Sequence, residues 1–99
     1  MPAAWPDRFE REMGCTEREW LQWLPGAVRG RPLTVTAGEA RVAIGEGALH
    51  VRWSALPHRQ IALVRLPRLH VEFAFSDVNA RERETFMRYF DLHMQRGGG

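Results

Sequence analysis

From Leu69 to Phe75 the chain alternates strictly. Leu69, Val71, Phe73 and Phe75 are apolar, and His70, Glu72 and Ala74 stand between them. A period of two marks a strand with one buried face, because successive side chains point to opposite sides of a sheet. Ile61 and Leu63 share the odd phase. That predicts one long strand running from Ile61 through Ser76, bent near Pro67, with the missing proline N–H pointing away from any partner. A tight hairpin centred on Pro67-Arg68 is disfavoured. Such turns need positive φ at their first central residue, and proline is held near about −65°. A longer loop over 65–68, joining two strands, is the alternative. Arg65 interrupts the apolar face and is expected to reach solvent at the bend.

The same period governs the segments before it. Leu33, Val35 and Ala37 alternate with Thr34 and Thr36, and a second run, "ARVAI", covers 40–44. "GEG" at 45–47 reads as a three-residue hairpin connection, since glycine takes positive φ at little cost. In "ALHVRWSAL", residues Leu49, Val51, Trp53 and Ala55 form one face and His50, Arg52 and Ser54 the other. "PHRQ" at 57–60 is the next predicted turn.

At the two ends the period lengthens. Thr16 followed by Glu19 is a capping box, and Trp20, Trp23 and Leu24 then fall on one helical face until Pro25-Gly26 stops the helix. Upstream, Trp5, Phe9 and Met13 recur every four residues, which predicts a turn or two of helix from about Pro6. A C-terminal helix starts at Asn79 or Asp77. It gathers Phe86, Met87, Phe90 and Met94 on one side, gains an i, i+4 pair from Glu84 and Arg88, and ends near Arg96. Short connections between the strands predict an antiparallel meander of four to five strands. The N-terminal and C-terminal helices cover one of its faces, giving an α+β two-layer sandwich. Residues 1–96 make a single domain, and 97–99 form a flexible glycine tail. The tail resembles the di-glycine end of ubiquitin-like modifiers, but there the glycines follow a strand and here a helix.

Charge adds one detail. All fourteen basic residues are arginine, and the net charge is +2. A genome rich in Arg codons explains the choice most simply; an anion-binding surface is the functional explanation. Residues 1–28 hold three arginines against five acids, and residues 29–76 hold seven against three. The excess therefore sits on the predicted sheet. No apolar run approaches the roughly 18 residues of a membrane span. The charged start does not resemble a secretory leader. With one cysteine no intrachain disulfide can form, which fits a reducing cytoplasm.

Motifs for chemistry are scarce. Cys15, His50, His58, His70 and His93 show none of the spacings of known metal sites. Cys15 precedes a helix N-terminus, where a thiol pKa falls, though a small residue before a cap is the plainer reading. Ser54 and Ser76 sit in no nucleophile elbow, and no phosphate loop is present. No cofactor or metal is expected. The arginines Arg52, Arg59, Arg65 and Arg68, with His70, fall on the predicted exposed face. Trp5 and Trp20 are candidate apolar anchors for an interface.

From Ile61 onward the pattern I-A-L-x-R-L-P-x-L-x-V-x-F-x-F, then R-E-x-F-M-x-x-F-D-L-x-x-Q-R-G-G-G, resembles a family of small uncharacterised proteobacterial proteins. That likeness implies no activity and no site residues. At the level of fold, the layout is similar to small bacterial pleckstrin-homology-like domains, with fewer strands than their barrel. The expectation is a non-enzymatic domain acting through protein contacts, with self-association into a homodimer as one form. The alternative is nucleic-acid or anionic-ligand binding through the basic sheet face.

Overall fold

A computed structural model describes residues 5–97. It contains β1 (Arg8–Met13), α1 (Glu17–Ala27), β2 (Leu33–Thr36), β3 (Glu39–Ile44), β4 (Gly47–Ile61), β5 (Val64–Ser76) and α2 (Ala80–Gln95). The strands form one antiparallel sheet in the order β1-β5-β4-β3-β2. The meander runs from β2 to β5, and β1 joins the far edge beside β5. The sheet is open and ends at β1 and β2. Both helices pack on one face, as the sequence predicts. α1 links β1 at one edge to β2 at the other, and its first-turn Glu17 accepts from the Trp53 indole on the central strand at 2.8 Å.

The N-terminal segment departs from expectation. Residues 8–13 form a strand, not a helix, pairing from Arg8 opposite Ala74 to Met13 opposite Leu69. A spacing of four is an even number, so Phe9 and Met13 share a face in a strand as readily as in a helix. Arg11 decides between them. It shares the half-buried side with Phe9 and Met13, while Arg8, Glu10 and Glu12 are exposed. Phe9 stacks on Phe73 with ring centroids 4.7 Å apart. Arg11 lies over that pair and bonds Asp91 of α2 at 2.6 Å.

Both predicted capping boxes form. The Thr16 hydroxyl accepts from Glu19 N at 3.1 Å, and Asn79 Oδ1 accepts from Glu82 N at 2.8 Å. Pro25-Gly26 does not stop α1, which runs on to Ala27. Proline removes one donor in the last turn, yet buried Ala27 and Val28 hold that turn against the core. Gly26 lets the His93 ring of α2 approach to a distance that a Cβ would obstruct. α2 ends as predicted, with Arg96 as its cap and Gly97 at φ 66° donating to the Met94 carbonyl. The expected flexibility of Gly98 and Gly99 concerns residues outside those described.

The core follows the odd phase in two stretches, 49–53 and 69–75, while odd positions between them, Ala55, Ile61 and Leu63 among them, are exposed. Leu49, Val51, Leu69, Val71 and Phe73 are fully buried, and Trp53 and Phe75 nearly so. Phe90 of α2 meets Phe73 and Trp20 edge-on, at 5.6 and 5.9 Å. Trp20 is 0% exposed. It is a core residue and no interface anchor, because α1 turns it directly onto Trp53, 5.6 Å away.

The turns between Gly45 and Val64 also differ. "GEG" closes as a two-residue loop, since Ile44 pairs with Gly47, and Gly45 takes φ 58°. "PHRQ" is no turn. β4 continues through it to Ile61, and the chain reverses at Ala62-Leu63, with Ile61 opposite Val64. Ala62 adopts φ 55° there, a conformation usually left to glycine. The strand through Pro67 is continuous, as favoured, but starts at Val64 and not at Ile61.

Strand β1 makes a sharp prediction for proline substitution. Phe75 N donates to the Asp7 carbonyl. Backbone groups alternate sides along a strand, so those of Phe9, Arg11 and Met13 face β5 and those of Arg8, Glu10 and Glu12 face outward. Arg11→Pro should lower stability in urea denaturation by about 1–3 kcal/mol beyond Arg11→Ala, through the lost ladder bond. Glu10→Pro should stay within about 1 kcal/mol. A helix over these residues would suffer from both.

Candidate functional site

The face opposite the helices carries the polar phase of every strand. The expected basic surface is there, but β1 changes its charge. Register places Glu10 beside Glu72, Glu12 beside His70, and Arg52 between Glu39 and Glu72. Within the body of the sheet the arginines on this face are Arg8, Arg41, Arg52 and Arg68, and the glutamates Glu10, Glu12, Glu39 and Glu72 equal them in number; Arg59 adds one more from the arm. It is a balanced lattice. Of the seven arginines in residues 29–76, three lie on this part of the sheet; Arg29 and Arg31 lie over Tyr89 and Phe86, and Glu10 and Glu12 of β1 offset what excess the face retains.

The pairs within it are specific. Arg68 forks onto Glu12 with both bonds at 2.9 Å and donates to the Pro57 carbonyl at 3.3 Å. His70 Nε2 lies 3.3 Å from Glu10 and 3.5 Å from Glu72. Hydrogen bonds from Arg68 hold the Glu12 carboxyl below the ordinary glutamate range; the charges of Arg68 and Arg59 act the same way, and desolvation opposes them. Since the folded-state pKa is lowered, the contribution of this pair is present above the ordinary glutamate range. It is lost as pH falls through the lowered value.

Beyond this lattice the β4–β5 hairpin leaves the body of the sheet. The β1 ladder ends at Met13 opposite Leu69, and the β3 ladder at Glu39 opposite Arg52. From there to Ala62-Leu63 the chain is a two-stranded arm. Between Leu56 and Arg59 the register shifts, because β4 holds one residue more than β5. Such a bulge turns a strand over. Beyond it Arg59 and Ile61 share a face with Leu66 and Val64, on the side away from the helices. Arg59 accordingly comes within 3.9 Å of Glu12. Ile61, Leu63, Val64 and Leu66 are 55%, 96%, 55% and 40% exposed.

The prolines mark the base of the arm. Trp53 N bonds the Gly38 carbonyl beside β3, and Phe75 N bonds Asp7 beside β1. By alternation Pro57 and Pro67 fall on those same outward sides, past the ends of β3 and β1. Neither free edge offers a donor at that point. The missing N–H of Pro67 therefore points away from any partner strand, as expected.

The other candidate residues separate. Arg65 is exposed on the opposite side of the arm, beside Gln60. Trp5 is half-buried against Phe9, 5.2 Å between rings, and its carbonyl accepts from Arg83. It lies on the helix side, remote from Arg52 and Arg68. Cys15 is 2% exposed, and burial, helped by the Glu19 carboxylate, pushes its thiol up to about 11. That reverses the lowering expected from the helix N-terminus. Among the described residues no group of three or more His, Cys, Asp or Glu could hold a metal ion, and no helix is long and apolar enough to cross a membrane.

Sequence reasoning missed Glu10 and Glu12, which it placed in a helix, and the bare apolar arm, which it placed in the core phase. Pro57 and Pro67, spaced evenly about Ala62, were the available signal. Comparison of the chain with protein-family models, curated proteins and solved structures finds no match.

Two measurements check this surface. In an NMR titration Glu12 should titrate below free glutamate, and Arg68→Ala should bring it back up. Alkylation of Cys15 at pH 8 should run about two orders of magnitude slower than that of a free thiol, from its thiolate fraction alone.

Proposed function

We propose that this chain is a non-enzymatic docking domain that contacts a protein partner through the β4–β5 arm. The observation that carries the reading is the bare apolar face of Ile61, Val64 and Leu66 with Leu63 at the tip. An isolated two-stranded ribbon is marginal in water, so a long one with uncovered aliphatic side chains is accounted for by a surface that covers it. Its chemistry describes the partner. Between Pro57 and His70 the chain has three arginines and no acid, and Arg68 is already engaged by Glu12. Arg59 shares the aliphatic face, 3.9 Å from Glu12, and Arg65 projects from the other side of the ribbon. The complement is an apolar groove with an acidic rim.

The balanced lattice supports a structural role for the rest of that face. Arg52, Arg68 and His70 sit among carboxylates and serve to align β1, β5 and β4, which makes the sheet face a poor platform for phosphates. Buried Cys15 favours the same non-enzymatic reading.

A photo-crosslinking residue at position 63, compared with one at Thr34, tests the proposal in the source cell. Position 63 should yield discrete adducts that resist nuclease, yield to protease and fall at least about tenfold with Ile61→Asp. Nuclease-sensitive adducts would turn the reading toward nucleic acid. Equal labelling from both positions, or no adduct at 63, would overturn it.

A further inference from the structure

A second surface stands apart from the arm, at the other side of β1. We infer that β1 pairs with β1 of a second copy of this chain, antiparallel about a two-fold axis, joining two five-stranded sheets into one. Three observations carry this, and none involves the arm.

The first is the open edge. Arg8, Glu10 and Glu12 turn their N–H and C=O groups away from β5, and among the described residues nothing bonds them. No proline interrupts the strand, and its outward charges, Arg8, Glu10 and Glu12, are of both signs. An open six-residue edge is a template for another strand whose charges complement it.

The second is charge order. With Glu10 on the axis, Arg8 of each copy stands opposite Glu12 of the other, twice over, and all three outward residues exchange both bonds, about six in total. A shift by two residues one way sets Glu10 against Glu12 on both sides. A shift the other way sets Arg8 against Glu10 twice, but turns the Pro6 ring, in place of an N–H, toward the Glu12 carbonyl of the other copy. Charge rejects the first shift and proline the second, leaving one register. Its cost is the facing Glu10 carboxylates, each with His70 Nε2 at 3.3 Å.

The third is the groove of about 510 Å³ beside that edge, between β1 and α2, floored by Met13, Leu92 and Met94. Leu92 is 46% exposed. An axis perpendicular to the sheet keeps both helical layers on one side and sets each groove against the Asp7 end of the other copy's β1. Strand pairing alone is small against the roughly 1,200 Å² of a standard interface. Leu92 and Met13 of both copies extend it, and methionine adapts its shape to such a seam.

Position-specific cross-linking tests the register. Glu10→Cys should give a disulfide-linked dimer under mild oxidation, since directly opposed residues stand about 5.5 Å apart. Arg8→Cys should not, because its counterpart lies roughly 13 Å along the strand. In sedimentation equilibrium Glu10→Pro should weaken the dimer at least about 100-fold while circular dichroism stays native, Glu10→Thr should tighten it, and Leu63→Asp should leave it unchanged. A wild-type chain that sediments as a monomer at millimolar concentration, equal cross-linking from positions 8 and 10, or a dimer that survives Glu10→Pro would overturn the pairing. A dimer lost with Leu63→Asp would assign self-association to the arm instead.

Discussion

Phe73 is the point at which the layers of this protein meet. Its ring stacks on Phe9 of β1 and receives the edge of Phe90 from α2, while its backbone lies between β1 and β4 in the sheet. One side chain therefore ties the edge strand, the centre of the sheet and the covering helix. Without that contact β1 would have its ladder bonds and surface ion pairs but little apolar burial. Exposed ion pairs are each worth about 1 kcal/mol or less. The lattice of Arg68, Glu12, His70 and Glu10 aligns a strand that aromatic packing holds in place.

Much of this was legible in the sequence, for a physical reason. Where burial is one-sided and the backbone regular, as at Leu49–Trp53 and Leu69–Phe75, side-chain period reports the face directly. Capping boxes at Thr16 and Asn79 are local and self-contained, so they could be read from a few letters. The failures have equally definite causes. Trp5, Phe9 and Met13 recur at an interval that suits both helix and strand, and tertiary contacts, Phe9 on Phe73 and Arg11 on Asp91, separate the two. The phase argument for Ile61 and Leu63 assumed an uninterrupted alternation, and one extra residue in β4 invalidates it. The turn at Ala62-Leu63 has no glycine, asparagine or aspartate to announce it.

The candidate surfaces were harder to see because charge composition along the chain is not charge distribution in space. Counting arginines in residues 29–76 suggested a basic face. In space Arg29 and Arg31 go to the rings of α2, and β1 carries Glu12 to Arg68 across 56 residues of sequence. The same strand assignment opens the second edge and thereby the register proposed for self-pairing. Both conclusions follow from the pairing of residues 8–13 with β5.

Pro57 and Pro67 have a consequence for how the arm can be held. A ribbon with two open edges invites neighbouring chains to zip along it, and such growth has no natural end. Proline on each flank, placed where β1 and β3 stop, interrupts that route from both sides, and the Arg68 guanidinium occupies the nearby Pro57 carbonyl. What remains available is the flat of the ribbon and its tip. The arm can be gripped across its width, but it cannot seed a fibre along its length.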